Sequence, residues 1–209
     1  MKLFKRKNRF GDACNNVISN KKLYNSIVKL QNDLVVYANT YPKVIAIVSP
    51  FDRVYNSLMA KSIAEVYAHN NKKTLLIDLD MHTPTMDKLF KLENEKSILD
   101  IAYKNDKNAI NKVSDNLDVI LARVETYQAN FLVSNEFKQA LMQLKDLYDH
   151  IVVILPPILD NQDILLIKEY LDVVLLVSKK DETTIKEINK AVRFIKINRI
   201  NFAGTIFIN

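Results

Sequence analysis

Residues 43–80 read KVIAIVSPFDRVYNSLMAKSIAEVYAHNNKKTLLIDLD. Two short apolar runs, residues 44–49 and 74–78, bracket a longer segment. Neither run alternates apolar with polar positions, which is how strands buried on both faces read. Between them, residues 58–69 carry a helical pattern, and Ser57 stands where an N-cap is expected. Strand, helix, strand in this order predicts a parallel βαβ unit. The same alternation continues outward. Residues 117–121, 151–155, 173–178 and 202–208 read as strands. Residues 135–147, 162–170 and 183–196 read as helices, with Ser134 as an N-cap, and an opening helix is expected over 21–37. The prediction is an α/β fold in three layers, a mostly parallel sheet with helices on both faces. Ligands of such sheets bind beyond the carboxyl ends of the strands. That draws attention to residues 49–57, 78–84 and 154–159.

Composition bounds the alternatives. The 209 residues suffice for one domain, expected over 21–209, behind a basic, flexible leader over 1–20. Residues 1–22 hold Lys2, Lys5, Arg6, Lys7, Arg9, Lys21 and Lys22 against Asp12, which accounts for the whole net charge of +6. A short basic segment with Phe4 and Phe10 suits anionic lipid. A neutral body argues against nucleic acid as the partner. No apolar run approaches the roughly 20 residues needed to span a bilayer. Cys14 is the single cysteine, so no internal disulfide forms, in keeping with a cytoplasmic location, including one peripheral at the inner face of the membrane. His69, His82 and His150 are scattered without metal-ligand spacing. Only Gly11 and Gly204 occur, where average usage would give roughly 15 glycines. Backbone that must approach a ligand closely therefore has almost no glycine available.

Several segments resemble the bacterial tyrosine kinases of capsule and exopolysaccharide biosynthesis, relatives of the septum-site and plasmid-partition ATPases among the P-loop proteins. The resemblance rests on KVIAIVSP, on SLMAKSIAEVYAHNNKKTLLIDLDMHTPTMDKLF, on SNEFKQALMQLKDLYDHIVVILPPI, and on DVVLLVSKKDETT and INFAGTIFIN. It implies a P-loop NTPase-like fold, ATP and magnesium as ligands, and phosphoryl transfer to tyrosine. It also implies, as partner, the cytoplasmic segment of a membrane polysaccharide co-polymerase or an active paralogous kinase.

The positions that would carry this chemistry depart from the family pattern. The phosphate loop G-x-G-K-S/T falls on Arg53, Val54, Tyr55, Asn56 and Ser57. Both glycines and the lysine are replaced. Such a loop turns successive backbone N–H groups toward phosphate, which needs glycine's dihedral freedom, and its lysine supplies a full charge. Asp78 and Asp80 stand where the family keeps acidic groups near magnesium, and they also suit plain loop hydrogen bonding. The aspartate expected at the end of a later strand is Ile154, followed by Leu155, Pro156 and Pro157. The Glu-x-Tyr-Arg ring motif falls on Lys22, Leu23, Tyr24 and Asn25, and the tyrosine-rich tail has no counterpart before Asn209. The expectation is a catalytically degenerate relative, a pseudokinase with a regulatory or scaffolding role, with no cofactor, no intact catalytic residue and no metal. One alternative is an active kinase or ATPase using ATP and magnesium in a rearranged site, with Lys61 or Arg53 reaching phosphate. Another is a partition-type membrane or DNA module.

Overall fold

The computed structural model describes residues 17–51, 54–93, 95–123 and 129–209. Arg53 and the leader cations up to Arg9 lie outside the described residues, as do Phe4 and Phe10. The described chain opens before the leader's expected end: Val17 is buried, and the Asn20 side chain caps the first helix by accepting from Leu23 N–H.

The elements in chain order are α1 (Lys21–Ala38), β1 (Val44–Val48), α2 (Val54–His69), β2 (Thr74–Asp78), α3 (Met86–Phe90) and α4 (Ile98–Lys104). A 3-10 turn, Lys107–Ala109, leads to β3 (Ile110–Lys112), β4 (Leu117–Ile120), α5 (Ala129–Leu132), α6 (Asn135–Leu147) and β5 (His150–Ile154). Then come α7 (Ile164–Ile167) with a 3-10 turn at Lys168–Tyr170, β6 (Val173–Lys179), α8 (Ile185–Ile197) and β7 (Phe202–Ile208). The sheet runs β3-β4-β2-β5-β1-β6-β7. All neighbours are parallel except β3, which runs antiparallel to β4.

The expected three layers are present. α1, α2 and α3 cover one face of the sheet through Ile27, Leu34, Ile63 and Met86, packed on Ile45, Ile47 and Ile154. α4 to α8 cover the other through Ile101, Phe131, Phe137, Ile164 and Ile195, packed on Val44, Ile77 and Val153. Every residue of β1, β2 and β5 is buried, which is why those strands read as unbroken apolar runs. Burial of this kind is worth about 25 cal/mol per Å² of apolar surface and dominates the stability of the fold.

Three expectations about elements are corrected. α2 starts at Val54, so Ser57 lies inside its first turn and is not its N-cap. The helix expected over 162–170 is one α turn and one 3-10 turn. The antiparallel edge strand β3 and the short helices α3, α4 and α5 were not foreseen, because these stretches show neither an unbroken apolar run nor a helical period. Ser134 does cap α6, accepting from Phe137 N–H. Among the described residues no helix is long and apolar enough to cross a membrane.

Candidate functional site

The carboxyl ends of β1, β2, β5 and β6 converge at the centre of the sheet. Parallel pairing sets Asp78 of β2 beside Ile154 of β5, and Ile154 beside Ile47 of β1. The first turn of α2 starts over this point. The sequence motifs singled out at residues 53–57, 78–80 and 154 are therefore brought together, although Arg53 itself is not described.

Each described residue of the phosphate-loop positions is engaged in the fold. Val54, Tyr55, Asn56 and Ser57 are all helical. Tyr55 is 8% exposed, and its hydroxyl donates to Glu182 Oε1 at 3.2 Å in the loop after β6. The Lys179 ammonium sits 5.6 Å from the centre of the Tyr55 ring. Asn56 is 1% exposed; its amide nitrogen donates to the Leu155 carbonyl at 3.4 Å, while its Oδ1 is buried with no hydrogen-bond partner. An orphaned carbonyl oxygen is an acceptor, of the wrong polarity for phosphate. The buried Ser57 hydroxyl accepts from Thr85 Oγ1.

The acidic pair is bound into its own loop. Asp78 is fully buried, its Oδ1 accepting from Asp80 N–H at 2.9 Å and its Oδ2 from Thr85 N–H at 3.4 Å. Burial pushes its carboxyl up to about 7; the backbone N–H groups of Asp80, Thr85 and Met86 pull it down and the Asp80 charge pushes it up. Asp80 accepts from His82 N–H at 3.2 Å and Thr83 N–H at 3.1 Å, closing the turn after β2. Ile154 is 1% exposed and packs with the core on the α1–α2 face.

The loops are also tied to one another. Ile158 N–H donates to Ser49 O at 2.9 Å, and Leu159 N–H to Pro50 O at 3.2 Å. Asn161 Oδ1 accepts from Asp163 N–H, so its amide nitrogen donates to His82 Nε2 at 2.9 Å, which makes that ring nitrogen an acceptor. Thr85, Asn161 and Glu182 are the site residues that sequence reasoning passed over. Thr85 directly follows Pro84 of the acidic motif, a placement that marks it; Glu182 and Asn161 carry no local signal. Lys61 does not serve the rearranged-site alternative in this arrangement. It is buried, pairs with Glu65 Oε1 at 2.6 Å one turn further along α2, and lies 5.4 Å from the Phe90 ring centre.

The described residues differ in chemistry from those a phosphate loop uses. The first turn of α2 holds a tyrosine and an asparagine where close phosphate approach needs glycine and a cation. The serine hydroxyl accepts from Thr85. Ile154 offers no ligand, and among the described residues no group of three histidine, cysteine or carboxylate side chains is placed to hold a metal.

Comparison with known proteins agrees with the architecture. A family model described as an AAA domain matches residues 42–202. The tyrosine-protein kinase ptk of Acinetobacter johnsonii is 26% identical over 166 residues, 77% of this chain and 22% of that protein. A putative tyrosine-protein kinase in the cps region of Klebsiella pneumoniae is 27% identical over 156 residues, 72% of this chain and 21% of that protein. The chain thus spans about a fifth of the length of these curated relatives. Among solved structures, the kinase domain of the Escherichia coli tyrosine kinase ETK superposes with a TM-score of 0.79 at 22% identity, covering 88% of this chain and 74% of that one. A ParA family ATPase from Chlorobium tepidum gives 0.61 at 15% identity, covering 79% and 72%. The structural likenesses establish the P-loop ATPase fold, and the match over residues 42–202 shows that the chain belongs to the AAA domain family, where it is similar to bacterial tyrosine-protein kinases.

Proposed function

We propose that this chain is a tyrosine-kinase-like protein that acts by binding rather than by phosphoryl transfer, as a regulatory or scaffolding component of capsule or exopolysaccharide biosynthesis. The observation that carries this reading is the first turn of α2. There Tyr55 and Asn56 are buried and hydrogen-bonded to neighbouring loops. Phosphoryl transfer depends almost wholly on positioning and charge stabilisation, so a site without its lysine, glycines and strand-end carboxylate has lost the parts that do the work. The name of the Klebsiella relative, which places it in a cps region, supports the pathway.

The proposed partner is the cytoplasmic segment of a membrane polysaccharide co-polymerase, or an active paralogous kinase, with residues 1–22 adding contact to anionic membrane. The test is phosphotransfer. The purified chain is incubated with radiolabelled ATP, magnesium and a tyrosine-containing polymer, alone and with the paralogous kinase. The expected result is no label transferred by the chain itself. Transfer that persists in the pure chain and disappears in Asp78→Ala would show an active enzyme.

A further inference from the structure

The sheet ends at β7, which pairs only with β6 among the described strands. The backbone groups on its other side face no strand among the described residues. Its sequence, FAGTIFI, contains neither a charge nor a proline, the devices that keep an edge from recruiting another chain. Gly204 adopts φ 153°, a conformation that side chains oppose, at the point where the register with β6 shifts. Beyond it Ile206 and Ile208 face the α1–α2 layer, and Phe207, 61% exposed, faces the α8 layer.

Hollows flank this edge on both faces. One of about 580 Å³ is walled by Leu23, Ile27 and Leu30 of α1, Met59 of α2, and Ile206 and Ile208. A smaller one of about 170 Å³ continues it along β7, between Leu34 and Tyr37 of α1 and residues 203–206. On the opposite face a hollow of about 640 Å³ lies between Phe207 and Ile185 and Ile188 of α8. Hollows on both faces of one unpaired strand match one shape, an extended backbone continuing the sheet with side chains entering each face in turn.

We propose that β7 receives an extended segment of a partner polypeptide as an eighth strand, with apolar residues at alternate positions. A second copy of this chain fits less well. Its own β7, FAGTIFI, carries no acidic residue to meet the cations that border the hollows. Charge adds direction. Lys22 borders the first hollow and Lys179 and Lys180 the other, while Glu182 is bonded to Tyr55 and Asp181 is the other acid there. An acidic residue in the incoming segment belongs beside the C-terminal end of β7. Lys179 and Glu182 border both the hollow beside α8 and the candidate site.

The test uses the full chain and a phage-displayed library of peptides about ten residues long, with apolar residues fixed at alternate positions. The best binder is then synthesised. Its binding is expected to slow amide exchange across 202–208 and to be abolished by proline at the peptide's centre. Phe207→Lys, at an exposed position, and Ile206→Lys should weaken it about tenfold or more, whereas Met142→Lys on α6 should not. Thermal unfolding checks that each variant is folded. The proposal is overturned if no peptide is selected, if binding leaves exchange at 202–208 unchanged, or if Phe207→Lys binds as well as the wild type. It is also overturned if sedimentation shows a dimer that Phe207→Lys dissolves, since the edge then serves a second copy.

Discussion

Tyr55 stands where the family pattern has glycine, and its buried ring and hydroxyl tie the first turn of α2 to the loop after β6. Tyr55→Phe removes that bond, so unfolding should cost about 1 kcal/mol less. Urea titration of the two proteins measures the difference. Asn56→Lys on its own should not restore phosphate binding, because a lysine is one point charge while the cradle of N–H groups depends on loop shape. Repair should need Arg53→Gly, Tyr55→Gly and Asn56→Lys together, with non-additive effects across the set. Asp78 gives a pH signature. An ordinary aspartate titrates near 4 and this one near 7, so the folded state favours the protonated form. Its contribution to stability is full at low pH and is lost as pH rises through about 7. Against Asp78→Asn, the wild type should therefore lose stability between about pH 4 and about 7, as chemical denaturation across that range would reveal. A flat difference between the two would contradict the burial of the charge.

At the scale of elements, legibility followed unbroken apolar runs. β2 and β7 were read from sequence with the bounds they have, and β5 to within a residue, because runs such as IVVIL have no competing period. The start of α2 differs from the expectation. Ser57 is a residue type favoured at N-caps and directly precedes the helical pattern over 58–69, whereas in the fold Val54 to Asn56 are already helical. The positions of the site were legible, but their bonds were not, since Glu182 and Asn161 reach Tyr55 and His82 from distant parts of the chain. Ile154 gives the sharpest test at this scale. Ile154→Asp buries a carboxylate beside Asp78 at the end of β5 and should destabilise the fold by roughly 3–5 kcal/mol, against about 1 kcal/mol for Ile154→Val. Thermal unfolding of both variants checks this, and an unaffected Ile154→Asp protein would contradict the burial of Ile154 in the core. The capping box of α8, where Thr184 and Glu187 bond reciprocally, is worth about 1 kcal/mol and should be lost in Thr184→Ala.

The whole molecule keeps the frame of a P-loop ATPase while its charge lies elsewhere. The excess of +6 belongs to residues 1–22, and the body is neutral. If this segment adds electrostatic contact with membrane, the full chain should bind anionic vesicles more than neutral ones, and the difference should fade as salt shortens the screening length from about 10 Å at 0.1 M toward about 3 Å at 1 M. Equal binding to both vesicle types would remove the leader from the account. Its central claim is that the site has lost its ligand, and isothermal titration calorimetry with magnesium-ATP tests this most directly. The wild-type chain should give no saturable heat at millimolar nucleotide, while the folded triple variant at residues 53, 55 and 56 should bind. Micromolar, magnesium-dependent binding by the wild type would contradict the account.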